Sequence, residues 1–400
     1  MKHKGLLIFI IFALFFSKNA IPQSISELSR STNRFAFSLY KKVIEKKNSN
    51  IFFSPIGLST AFAQVYIGSN NNTKNEIASV FGFNDSLILI SNFYNALLLS
   101  DTKNTKVLQN ANSIWVNDKF ELKPHYSEML EENFNSQIIS MDVSEPSECE
   151  ERINEWVKKT TESRIKEIIS EKDIDALTVF LLINSLYFKD NWLNAFEKHN
   201  IIEDTFYISR SETVKSQMMY TFGFFSYTRD QNFDALKIPY STKNYSMLIL
   251  LPRNIDGIFD LEKNLDSINI ENICNELNEC EVSLCLPKFK FEYDVPDLIK
   301  LLTSLGLIEA FNSGKADFRG IIKDSYNLNP FISDVVQKTF VEVNEEGTEA
   351  AATTMIKESY FRGSRPDPKI FRVDHPFLFF IVEESSKCIL FMGKCVNPVE

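Results

Sequence analysis

Histidine and cysteine are both scarce in this chain, with 4 and 6 among 400 residues. Beyond the first few positions only His125, His199 and His375 remain. The sequence contains no H-E-x-x-H, G-x-S-x-G, G-x-G-x-x-G, Walker A or C-x-x-C pattern. A Ser-His-Asp triad would have to be assembled from distant residues without a nucleophile elbow. His375, in DHPFLFF, reads as a structural histidine at a strand entrance. No enzyme, metal site or cofactor is therefore expected. The cysteines (149, 274, 280, 285, 388 and 395) are too few for a disulfide scaffold. Their even number permits bridges that the sequence does not pair, and Cys285 and Cys395 lie in apolar runs suited to buried thiols.

Positive charge is short as well. Lys and Arg total 43 against 53 Asp and Glu, a net charge of −10, which argues against nucleic acid or an anionic membrane as partner. The segment SLILISNFYNALLLS, 86 to 100, has no Lys or Arg, so it supplies no heparin-type basic face. Low-complexity linkers, internal repeats and shifts of composition are missing too. Length alone suggests about two or three domains, but nothing in the sequence marks a boundary. One large α+β domain, a monomer, is the expectation.

What is present starts with MKHKGLLIFIIFALFF, where Lys2 and Lys4 precede a twelve-residue apolar run, Gly5 to Phe16. This is the layout of a signal peptide, and it is short of the roughly 18 apolar residues that a membrane helix needs. Residues 1–23 are assigned to it, with 24–400 as the secreted domain; no clean small-x-small pair before Gln23 fixes the cleaved bond. Sequons at Asn71, Asn84 and Asn244 are candidate glycan sites in a secreted chain.

Helical spacing dominates the first half. Phe35, Leu39, Val43 and Ile44 share one face. In FFSPIGLSTAFAQVYIGSN, Ser54 is suited to cap, Pro55 to the first turn and Gly68 to the end of a buried helix. Ile153, Trp156 and Val157 mark another helix, in ERINEWVKKTTESR. Later, LTVFLLINSLYF (177–188) reads as a strand covered on both faces. ALKIPY and SMLILLP flank the turn STKNY as a hairpin, and VVQKTFVEV (335–343) is a strand. Residues 377–382 and 389–396 close the chain as two more.

Between these strands lies EEGTEAAATTMIKESYFRGSRPDPK, 345 to 369, too long for a turn and too rich in small residues for a polar linker. With side chains alternating, one face carries Thr348, Ala350, Ala352, Thr354 and Ile356, all uncharged. The other carries Glu349, Ala351, Thr353, Met355 and Lys357, placing the charges toward water. Gly347 offers permissive backbone for a reversal. Alanine-rich runs also form helices, so composition alone leaves strand and helix open.

From about residue 25 to 398 the chain resembles the serpin family. VEVNEEGTEAAATT is similar to the family's hinge, and ADFRGI, DHPFLFF and FMGKCVNP to other signature runs. NIFFSPIGLSTAF and LINSLYFKDNW are similar to its segments after the first helix and along the central sheet. The resemblance implies a five-stranded central sheet, two further sheets, about nine helices and an exposed reactive loop at about 345–369. It also implies a mechanism. A serine protease cleaves the loop and becomes an acyl-enzyme. The freed loop then inserts as an antiparallel strand between 177–188 and 335–343, releasing stored strain. About 15 residues of insertion would carry the protease roughly 50 Å.

Residue by residue, the resemblance makes Glu346, Gly347, Thr348, Glu349, Ala350, Ala351, Ala352 and Thr353 the hinge. Its spacing puts the scissile bond fourteen residues after Gly347, between Phe361 and Arg362, suiting a chymotrypsin-like pocket. Cleavage after Arg362, by a trypsin-like protease, is the runner-up. Ser54, Asn184 and Gln337 match a latch under the opening gap, where Gln337 replaces the usual His and cannot titrate. Gly57 stands where the pattern has a second small polar residue, so a weaker latch is expected. Trp192 matches the tryptophan at the top of the sheet. Non-inhibitory serpins, carriers or chaperones, are the competing class; their hinges carry bulky, charged or proline residues, unlike the run Ala350–Ala352.

Overall fold

The computed structural model describes residues 23–45, 49–83, 86–98, 107–134, 136–323, 330–348 and 367–400. The leader, Asn84, Glu349 to Thr353, Phe361 and Arg362 lie outside the described residues. Two sheets dominate. The central one is ordered Gln137–Met141, Leu108–Asn117, Phe180–Phe188, Ile332–Val343 and Phe289–Asp294. Its two middle strands, Phe180–Phe188 and Ile332–Val343, run parallel, with Asn184 opposite Gln337. The second network has nine strands, because the eighteen-residue strand Glu212–Arg229 is long enough to pair with three neighbours and join two smaller sheets. Nine α-helices occur among the described residues.

All nine residues of Phe180–Phe188 are buried, as expected for a continuous apolar run. Period-two alternation divides them between two cores. Phe180, Leu182, Leu186 and Phe188 join the main core, while Leu181, Ile183 and Tyr187 join a second one. That second core is roofed by Ile153 and Val157 of the helix Pro146–Thr160 and by Ile165, Ile168 and Ile169 after it. The helix stops at Thr160, and Thr161 turns the chain by hydrogen bonds to the Val157 carbonyl and from the Ile165 N–H. The central strand starts at Phe180 rather than 177. Leu177 is 76% exposed in a turn closed by Asp175, whose carbonyl accepts from Thr178 N–H. The predicted hairpin is present, with Pro239 opposite Ser246.

The helix Pro55–Gly68 is capped as expected: Ser54 Oγ accepts from Gly57 N–H at 3.1 Å, and Pro55 opens the first turn. Nearly all of it is buried beneath the central sheet, against Phe180–Phe188. Behind it, Phe52 stacks on Phe391 at 5.0 Å and on Phe379 at 5.7 Å within the nine-stranded network, and meets Phe291 of the central sheet edge-on at 6.5 Å, tying the two sheets together. All six cysteines are free thiols, with Cys285 and Cys395 buried as expected. His375 sits at the entrance of the strand Phe377–Glu383, bonded to the Pro252 carbonyl at 2.7 Å and to Asp374 at 2.9 Å, a structural setting. Truncating Phe52 to Ala should cost about 3–5 kcal/mol, since its ring fills the seam between the sheets. A urea unfolding midpoint equal to that of the parent would show that the seam does not depend on it.

Candidate functional site

The site begins where the two middle strands meet the capped helix. Period two points both Asn184 and Gln337 into the main core, and both are fully buried. Gln337 Oε1 accepts from Ser54 N–H at 3.0 Å, and Gln337 Nε2 donates to the Ser54 carbonyl at 2.9 Å. The carboxamide thus pairs with one residue's backbone much as a neighbouring peptide would. Gln337 Nε2 also donates to Asn184 Oδ1, and Asn184 Nδ2 donates to Asn112 Oδ1. Ser54 Oγ donates to the Leu390 carbonyl at 2.8 Å. The three residues expected from the sequence are therefore brought together, with Asn112 added. Gly57 has no polar side chain to contribute, and a Cβ there would lie 2.6 Å from Asn184 Oδ1, so a side chain at this position would displace the Asn184 amide.

At the upper end of the same gap the chain leaves Val343 and turns. Asn344 Oδ1 accepts from Glu346 N–H at 2.9 Å and from Gly347 N–H at 3.2 Å, an Asx turn. Gly347 and Thr348 then enter the sheet. Gly347 pairs with Asn191 and Thr348 with Asp190 on one side, and Thr348 pairs with Val343 on the other. Trp192 fastens this turn twice, donating from its backbone to the Glu346 carbonyl and from Nε1 to the Asn344 carbonyl, both at 2.9 Å. Phe196 N–H donates to the Glu345 carbonyl at 2.8 Å. The Trp192 ring stacks on Tyr240 at 4.7 Å, and the Tyr240 hydroxyl meets Thr348 Oγ1 at 2.6 Å. Burial pushes the Tyr240 phenol far up, so it remains protonated.

Two ion pairs finish the turn, Lys288 with Glu345 at 2.6 Å and Lys198 with Glu346 at 3.2 Å. Burial opposes the charge of Glu345, but Lys288 prevails and holds its carboxyl below the usual range.

Two expectations are corrected here. The loop was expected to stand free from 345, yet Thr348 is 2% exposed and residues 345–348 are docked, because Trp192 and Asn344 satisfy their backbone. At the other end, the strand Lys369–Arg372 already takes up Lys369. Gly347 was expected to supply a reversal, but its φ is not in the left-handed region; Asn344 makes the turn. Glycine is needed for close approach, since a Cβ would lie 2.2 Å from the Asp190 carbonyl oxygen. The outer face of the middle strands is covered, as expected from the continuous apolar run 177–188, by the second core along Leu181, Ile183, Tyr187 and Phe340. Thr348 does point inward, as its strand face requires. Tyr240 and Lys288 were missed, while N-E-E-G at 344–347 carried a turn signal that could have identified Asn344.

Of the sequons, Asn71 is exposed and its amide donates to Asp317 Oδ2 at 2.7 Å. Asn244 is half-buried on the hairpin turn.

A family model described as Serpin (serine protease inhibitor) matches residues 30–398. The chain is 34% identical over 391 residues to a leukocyte elastase inhibitor from Xenopus laevis, covering 94% of this chain and all of that protein. Serpin48, described as a highly specific serpin in the insect Tenebrio molitor, superposes with a TM-score of 0.83 at 31% identity, over 93% of this chain and 98% of its own. Human thyroxine-binding globulin, complexed with its hormone, gives 0.81 at 27% identity, over 94% of this chain and all of its own.

Two substitutions test the geometry. Gln337→Leu would strand the Ser54 N–H without a partner, at about 1–3 kcal/mol for a buried group, while the Ser54 carbonyl would keep the Leu58 N–H at 3.3 Å. A markedly lower unfolding midpoint is expected, and an unchanged one would mean that these bonds carry no stability. Thr348→Arg would force a charge into a buried position and should expel the turn, so folding is affected before any cleavage. Faster amide exchange at Glu346 to Thr348 and altered tryptophan emission are expected; native exchange rates would refute the docked turn.

Proposed function

The chain belongs to the serpin family, and from this premise we propose that it is a suicide-substrate inhibitor of a serine protease. The reactive bond in this reading is Phe361–Arg362, and the target is chymotrypsin-like. After cleavage, the loop continues into the sheet from the two residues already there and drags the acyl-enzyme along it. The observation that carries the proposal is the register. Thr348 lies opposite Asp190 and Val343. Continuing that antiparallel register would bring Thr353 between Ser185 and Lys338, and Thr354 between Asn184 and Gln337. These are pairs that already face each other across the gap. The two strands therefore need only separate sideways, without sliding, to admit the loop.

The chemistry of the receiving gap supports the same reading. Ser185 Oγ and Tyr187 OH are buried on its outer face without hydrogen-bond partners among the described residues. The register would bring the Thr353 hydroxyl beside Ser185, while Ala351 would pass between Tyr187 and Phe340 under the second core. Small residues would thus fall under Tyr187 and Phe340, and Met355 would meet Ile183 and Val336 further along the same covered face. Lys357 would arrive between Leu181 and Asp334, whose carboxyl burial pushes above its usual range. A cation there would relieve that penalty. Glu349 would lie at the other end, beside Lys189.

The apolar leader and the exposed position of Asn71 support export, with removal near residue 23 and a single domain from 24 to 400. Glycans at Asn71, Asn84 and Asn244 belong to this proposal. A trypsin-like target, read through Arg362, is the alternative within inhibition. A carrier role is favoured by one observation, the likeness to thyroxine-binding globulin; the small residues Ala350–Ala352 speak for the inhibitor.

With chymotrypsin the protein should form an adduct that survives boiling in detergent. Phe361→Ala should abolish that adduct and largely spare cleavage by trypsin. Removal of the dominant inhibition by Arg362→Ala instead would move the reactive bond by one residue, and turnover without adduct for every protease tried would favour a carrier. Nicking the loop between Gly347 and Pro366 should also raise the calorimetric unfolding midpoint sharply. Equal midpoints before and after would show that no strand is added.

A further inference from the structure

Three large apolar side chains stand in solvent on one face of the nine-stranded network. Phe222 and Phe224, on Glu212–Arg229, are 61% and 57% exposed, and Ile370, on Lys369–Arg372, is 74% exposed. Register makes them neighbours. Phe222 lies opposite Ser283, and Ser283 lies opposite Ile370, so a small exposed serine separates the two across one intervening strand. Phe224 is two residues on, on the same face, opposite Glu281. The alternate residues Phe225, Val282, Leu284 and Phe371 point the other way and are buried, so the strands have a complete inner face without these three. Glu279 and Glu281 lie along the same outer face and give the patch an acidic border. A contiguous apolar surface with a polar border is the usual form of an interaction site.

Its place in the chain identifies the occupant. Ile370 belongs to an edge strand that starts at Lys369, eight residues beyond Phe361. Fully extended, that span reaches about 26 Å. A protease domain of about 230 residues has a radius of gyration of about 17 Å, and so measures about 45 Å across. A protease holding the Phe361–Arg362 bond therefore overhangs this face. Resting on the inhibitory reading above, we propose that Phe222, Phe224 and Ile370 form a second contact surface for the protease engaged at the loop. The complementary surface on the protease is apolar with a basic rim, facing Glu279 and Glu281. Contact here acts before acylation. It raises the rate of encounter and holds the protease over the bond, but leaves the later competition between insertion and hydrolysis unchanged.

The test compares the parent with the triple variant Phe222→Ser, Phe224→Ser, Ile370→Thr, using whichever of chymotrypsin or trypsin forms the detergent-stable adduct. The second-order rate of adduct formation should fall by about tenfold, while the fraction of cleaved molecules that trap protease and the thermal midpoint stay as in the parent. Glu279→Gln with Glu281→Gln should slow the reaction less and weaken its dependence on salt. Equal rates for parent and triple variant would overturn the proposal. So would sedimentation showing a parent dimer that the variant dissolves, since the patch would then join two copies of this chain. No adduct from the parent with either protease is a separate result, which overturns the inhibitory reading itself.

Discussion

The parallel pairing of Phe180–Phe188 with Ile332–Val343 is the constraint on which the rest of the structure depends. A parallel ladder is slightly weaker per residue than an antiparallel one. An antiparallel strand placed between these two would replace one parallel ladder by two antiparallel ones, so the sheet has a lower state available in the proposed mechanism. What holds the present state is local. In the middle of the gap its two strands are joined by Gln337 Nε2 to Asn184 Oδ1, and at the lower end by Val179 N–H to Ser333 Oγ at 2.8 Å. The bonds of Gln337 to Ser54 and of Asn184 to Asn112 can travel with their own strands. The helix Pro55–Gly68 meets both sides, through Ser54 at Gln337 and Gly57 against Asn184. A side chain that pairs like a peptide and does not titrate makes this closure independent of pH near neutrality.

The upper end of the gap shows why the loop starts where it does. Asn344, Trp192 and Phe196 satisfy the backbone of the turn before Thr348 is reached. Fixing those residues in advance means that the ordering entropy of the first step has already been met, at about 1–2 kcal/mol per residue of backbone. Trp192 is both a packing residue, stacked on Tyr240, and a clamp on the turn; the two roles share one geometry.

Much of this was legible in the sequence, for identifiable reasons. Continuous burial of 180–188 follows from an uninterrupted apolar run, and the cap at Ser54 from Ser-Pro ahead of one. Ser54, Asn184 and Gln337 were expected together through family resemblance, and they meet. What failed was whatever depended on tertiary contacts between distant segments. The Thr348 side chain looks equally suited to solvent or interior, and only Tyr240, 108 residues away, decides it. Gly347 reads as a conformational glycine, yet the need for it comes from the Asp190 carbonyl, and no local pattern records that approach. The cover over the outer face was expected from the continuous apolar run 177–188, but that the helix Pro146–Thr160 supplies it was not, since that helix lies in another part of the chain.

That cover also gives a reason for the loop's composition on both faces rather than one. The proposed strand would have the main core beneath it and the second core above its middle, so bulk is excluded from both sides there. Alanine and threonine at 350–354 meet that double limit, and threonine keeps strand propensity without large volume. The two charges would fall beside polar partners, Glu349 next to Lys189 at the end of the gap and Lys357 next to the half-buried Asp334. A carrier that never inserts its loop has no need to match two cores at once. The pattern therefore argues for insertion on steric grounds that are independent of the resemblance.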